Sequence, residues 1–125
     1  MTTPTTTVRH IRPLVLAIVA SALFGATALH AEEPPFVGTW SLDPAQCSVG
    51  QASEDAPYVF TASTYERFER RCTFTSLSQH EGGWKVSAQC SAEGTQFDYN
   101  FTLTVSGDTL TFRDSSFTDD LLRCK

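Results

Sequence analysis

The chain predicts an all-β fold, a small antiparallel up-and-down β-barrel of about seven to eight strands stapled by two disulfides. Three observations lead there. From Cys72 onward apolar and polar residues alternate with period two, and Gly-bearing turns interrupt the alternation at short intervals. Four cysteines also stand far apart in a chain too short to bury a large core. No stretch carries a long amphipathic helical pattern, an internal repeat or low complexity.

The first element is not part of that fold. Residues 1 to 31 read as a signal peptide that is removed, with Arg9, His10 and Arg12 as the positive region and Leu14 to Leu29 as the uncharged apolar run. Small residues occupy the cleavage region, at Ala31 before Glu32 or at Ala28 after Ala26-Thr27. A retained membrane anchor is the rival reading, but the run is short for a span and ends at small residues. Arg9 and Arg12 are not adjacent, against twin-arginine export, and no cysteine precedes Cys47 to carry a lipid. The expected product is one soluble domain, residues 32–125, periplasmic or secreted from a bacterium, without a membrane anchor once the leader is gone.

The domain opens with Glu32-Glu33-Pro34-Pro35, an acidic and stiff extended arm. Phe36 to Leu42 reads as a short strand stopped by Asp43-Pro44, and residues 48–57 as a polar loop. Tyr58 to Ala62 is a strand. Tyr65 to Arg71 (YERFERR) fits either a helical turn or the start of the next strand. Cys72 to Gln79 is a strand, turned by His80-Glu81-Gly82-Gly83. In Trp84 to Ser91 one face carries Trp84, Val86, Ala88 and Cys90, and the other Lys85, Ser87, Gln89 and Ser91. After Glu93-Gly94, Phe97, Tyr99, Phe101, Leu103 and Val105 alternate with polar partners. Ser106-Gly107-Asp108 then turns the chain into Leu110 and Phe112. Closing this meander removes its exposed edges; an open sheet packed on the YERFERR turn is the alternative.

Cys47, Cys72, Cys90 and Cys124 are separated by 25, 18 and 34 positions. A zinc site wants closer pairs or added histidines, so no metal is expected and the four are read as two disulfides. A hairpin centred near Glu81 sets Cys72 opposite Cys90. Counting strand directions brings Cys47 and Cys124 to the same end, which favours Cys72–Cys90 and Cys47–Cys124 among the three connectivities.

Gly38-Thr39-Trp40 on the first strand, with Arg123 on the last, resembles the calycin superfamily of lipocalin-like barrels. That resemblance implies that Trp40 caps one barrel end while the Arg123 guanidinium packs over the indole. Gly38-Thr39-Trp40-Ser41-Leu42 followed by Cys47 is similar, over about ten residues, to the opening of the small periplasmic metalloprotease inhibitors of Gram-negative bacteria. The family's single bridge would make Cys72 the partner of Cys47. The family's N-terminal arm enters the protease cleft, which would give Glu32, Glu33, Pro34 and Pro35 a binding role; otherwise they are only a loose terminus.

The whole chain of 125 residues has a formal charge of −5. Residues 32–125 keep all fourteen acids but only seven basic residues, a charge of −7, and His80 is their sole histidine. Such a surface excludes sequence-independent nucleic-acid binding and favours a protein partner of cationic character.

Catalysis finds little to use. His80 sits in a Gly-rich turn, a Ser78–His80–Glu81 arrangement has no G-x-S-x-G elbow, and oxidised cysteines are not nucleophiles. No phosphate-binding or dinucleotide fingerprint and no singled-out carboxylate pair is present, so neither catalytic residues nor a cofactor is expected. Two binding candidates remain beside the arm. The acidic loop from Asp114 to Asp120 could grip a cationic protein such as a lysozyme through Asp119 and Asp120, with Phe117 as anchor or folded inward to close the barrel. The interior, lined by Phe97, Tyr99, Phe101, Leu103 and Phe112, is either packed core or a cavity for a small apolar ligand. The expectation is an exported, non-catalytic binding protein, an inhibitor of an extracytoplasmic protease or lysozyme. A carrier of a small apolar ligand and an envelope structural protein are the alternatives.

Overall fold

The computed structural model describes residues 2–7, 9, 10, 25 and 32–125. The apolar run of the leader therefore lies outside the described residues, apart from Gly25. Among the described residues no helix is long and apolar enough to cross a membrane. The chain divides into two compact units, Met1–His30 and Ala31–Lys125, and every strand among the described residues belongs to the second.

Eight strands form the barrel: β1 (Gly38–Ser41), β2 (Tyr58–Phe60), β3 (Thr64–Arg67), β4 (Arg70–His80), β5 (Gly83–Ala92), β6 (Thr95–Ser106), β7 (Thr109–Arg113) and β8 (Thr118–Arg123). Each pairs antiparallel with its sequence neighbours, and β1 with β8 closes the ring through Trp40↔Arg123 and Ser41↔Leu122. The ring is closed rather than an open sheet, which leaves no strand edge to cover where no long helix is found among the described residues. The ambiguous YERFERR segment resolves into the end of β3, a two-residue turn at Phe68-Glu69 and the start of β4.

Between β1 and β2 lies one turn of 3-10 helix, Pro44–Ser48. Pro44 suits its first turn, where the missing N–H costs nothing, and the Asp43 side chain caps it by accepting from the Ala45 N–H at 2.8 Å. This turn carries Cys47 to Cys124, and Cys72 faces Cys90 across β4 and β5; both bridges are formed. The Cys47–Cys72 bridge implied by the inhibitor resemblance is therefore not adopted, because Cys72 lies directly opposite Cys90 in register.

The alternation read from the sequence places the core. Trp40, Tyr58, Phe60, Tyr65, Val86, Ala88, Phe101, Leu103, Leu110, Phe112 and Leu121 are buried. One end is plugged by Phe36, fully buried, whose carbonyl accepts the Trp40 indole N–H at 2.8 Å and whose ring meets Phe60, Phe74 and Trp84 edge-on. Arg123 lies 4.1 Å over the Trp40 ring and donates to the Pro35 carbonyl at 3.2 Å. A register shift between Phe74 and Ser76 leaves Thr75 unopposed, and beyond it β4 runs on with exposed side chains to the β4–β5 turn.

Candidate functional site

The other end is a mouth framed by the β3–β4 and β7–β8 turns. Its floor is a stack of rings. Phe112 lies 4.9 Å from Phe101 and 5.5 Å from Tyr65, and Phe117 covers Phe112 at 5.6 Å with the planes 9° apart. Phe117 thus both closes the barrel and keeps 39% of its surface in solvent.

Two arginines stand over this floor. Arg67 and Arg70 are directly opposite partners at the closing pair of the β3–β4 hairpin. The Arg67 guanidinium sits 4.5 Å above Tyr58, and that of Arg70 lies 5.2 Å from Tyr99 and 5.5 Å from Phe97. Arg67 donates to the Glu54 carbonyl at 3.2 Å through Nη2, while its buried Nε has no partner among the described residues. Tyr58, Tyr65, Arg67, Phe68, Arg70 and Phe117 enclose a cavity of about 170 Å³.

The turn between the arginines is strained. Phe68 and Glu69 have φ of 46° and 61°, a left-handed conformation that Gly and Asn reach easily and a bulky aromatic does not. The long β1–β2 loop holds it there: the Phe68 N–H donates to Gln51 Oε1 at 2.9 Å, and Gln51 Nε2 anchors itself on the Pro57 carbonyl at 3.0 Å. The result is a phenyl ring 38% exposed at the rim, facing the same cavity as Phe117.

Half-exposed carboxylates bonded to phenols brace the mouth. Tyr58 donates to Asp119 at 2.8 Å, and Tyr99 to Asp114 at 2.5 Å. Burial, and then these bonds, raise both phenols well above the ordinary tyrosine value, while burial lifts Tyr65 to about 12. All three rings therefore stay neutral. Burial pushes the Asp114 carboxyl up, but bonds from Tyr99 and from the Ser116 and Phe117 N–H groups, with the nearby Arg70 charge, outweigh it and hold the carboxyl below its ordinary value.

Most of the sequence-derived candidates take other places. Glu32 and Glu33 are exposed, while Pro34 and Pro35 are tied to the plugged end, where the Pro34 carbonyl accepts the Val37 N–H at 3.0 Å. Strand β8 runs from the turn bearing Phe117 to Arg123, so arm and mouth lie at opposite ends. Asp119 is committed to Tyr58, and Asp120 accepts the Thr111 hydroxyl at 2.7 Å on the outer surface. The loop acids thus hold the barrel's own hydroxyls. His80 lies far out on the exposed β4–β5 turn, 3.7 Å from Glu81. The interior is packed with side chains, and of its expected lining Phe97 and Tyr99 are only partly buried at the mouth.

Sequence reasoning missed Arg67, Phe68 and Arg70. A signal existed: a two-residue turn at Phe68-Glu69 makes Arg67 and Arg70 cross-strand partners on one face, and their i, i+3 spacing would set them side by side on a helical turn as well.

Fold and mouth together define a class: a small closed antiparallel barrel, plugged at one end and aromatic and cationic at the other. No protein-family model, curated protein or solved structure matches the chain significantly.

Proposed function

We propose that this is an exported, non-catalytic binding protein of the bacterial extracytoplasmic space that inhibits an enzyme there, a protease or a lysozyme. The observation that carries the reading is Phe68: an aromatic ring, 38% exposed, at a left-handed turn position and fixed there by the β1–β2 loop. A non-glycine residue in that conformation costs about 1–2 kcal/mol, and such strain clusters where a side chain must be presented to a ligand. Phe117, on the facing turn, supplies a second rim aromatic, and aromatic anchors dominate binding energy at protein interfaces. Cysteines that are all paired support an oxidising compartment, in keeping with the leader-like first 31 residues.

The test is inhibition of a panel of secreted proteases and of lysozyme by the purified, disulfide-bonded protein. Stoichiometric loss of one activity is expected, with Phe68→Ala and Phe117→Ala each weakening it about tenfold or more, as for central aromatic anchors. Inhibition that survives both changes but disappears on deleting Glu32 and Glu33 would move the binding element to the arm. No inhibition across the panel would refute the reading.

A further inference from the structure

We propose that the barrel mouth is a binding site for a small carboxylate with a short apolar tail, clamped by Arg67 and Arg70. This goes beyond enzyme inhibition, since it names a small-molecule ligand that inhibition does not require.

Three observations carry it. Arg67 and Arg70 are directly opposed on one face of a hairpin, and like charges so placed destabilise the pair unless something lies between them. Neither makes a direct ion pair among the described residues: Asp114, which feels the Arg70 charge from a distance, and Asp119 are both bonded to tyrosine hydroxyls instead. The Arg67 Nε is buried without a partner, so the barrel's own acceptors do not saturate this guanidinium.

The chemistry of the ligand follows. Arg70 offers a planar fork of the kind that matches a carboxylate, and Arg67, whose Nη2 is held by the Glu54 carbonyl, adds a second positive charge. Their ring platforms leave both little side-chain freedom to lose. The rest of the lining is aromatic, from Tyr58, Tyr65, Phe68 and Phe117, which suits an apolar tail and gives nothing to a fully hydrated anion. At about 170 Å³ the cavity is well below the range of sites for drug-sized ligands, so the tail is of the size of a phenyl ring and not a long acyl chain.

Benzoate is the probe. Titrated into the purified, oxidised protein and followed by the arginine Nε–Hε resonances and by calorimetry, it should saturate one site and shift the Arg67 signal. Acetate and inorganic phosphate should bind more weakly, and Arg70→Lys and Arg67→Lys should each weaken benzoate about tenfold or more, because an ammonium keeps the charge but not the guanidinium's hydrogen-bonding geometry. Arg67 also braces Glu54, so Arg70→Lys, which leaves that contact intact, decides the matter if Arg67→Lys fails to fold. Absence of saturation up to about 10 mM, the weakest affinity that specific contacts would justify, overturns the proposal. So does benzoate binding unchanged in Arg70→Lys, or phosphate binding tighter than benzoate. Enzyme inhibition plays no part in the readout, so this proposal and the preceding one fail separately.

Discussion

Single residues set the character of the mouth. Phe68 trades backbone strain for the display of its ring, and that trade is measurable. Asn tolerates the left-handed turn position, so Phe68→Asn should stabilise the fold by about 1 kcal/mol and raise Tm by roughly 4–8 °C, by differential scanning calorimetry. Under the proposed inhibitory role, the same change should also weaken binding, because the ring is lost. Asp114 gives a second case. Its folded carboxyl titrates below its ordinary value of 3.8, so the ionised form is the one the fold favours. That stabilisation is fully present above the unfolded value and is lost as pH falls through the folded one. Urea midpoints of the wild type and Asp114→Asn should therefore differ at pH 7 and converge as pH drops from about 4 toward 2. A constant gap would mean that the turn does not depend on the ionised carboxylate.

At the level of elements, turns and close approaches decide register. Gly83 opens β5 against β6, and a Cβ there would stand 2.6 Å from the Leu103 carbonyl oxygen and 2.9 Å from Thr104 Oγ1. Backbone cannot yield as a flexible side chain can, so Gly83→Ala should destabilise by about 1–3 kcal/mol in urea unfolding. The β5 and β6 alternation is long and regular enough to be read directly from the sequence, and those strands match expectation within a residue or two. YERFERR was not readable in that way. Its central residues have no turn preference, and the conformation is held by bonds that the Phe68 N–H and Arg67 donate to Gln51 and Glu54, residues distant in sequence. The setting of the two arginines was hidden with it, since the turn opposes Arg67 and Arg70 across two strands and the rings beneath them come from β2 and β6.

For the whole molecule the question is what keeps a short seam closed. Strands β1 and β8 share only the Trp40↔Arg123 and Ser41↔Leu122 pairings, extended by the Cys124 N–H donating to the Thr39 carbonyl at 2.8 Å. The Cys47–Cys124 bridge, spanning 77 positions, clamps that seam, whereas Cys72–Cys90 spans 18 and lies within an existing hairpin. Loop-closure entropy grows with span, so removing the first bridge should cost about 4–5 kcal/mol and the second about 3. Paired Cys→Ala variants compared by urea unfolding should show that order, with amide exchange at Cys124 accelerated only in the first. Sequence alone determined the fold class, the alternating core and the bridge between Cys72 and Cys90, because these follow from local periodicity and one hairpin. Tertiary structure decided that Asp119 and Asp120 serve internal hydroxyls, that the proline arm lies opposite the mouth, and that Arg67, Phe68 and Arg70 meet there. Those facts depend on ring closure, which joins residues far apart in the chain and leaves no periodic trace in it.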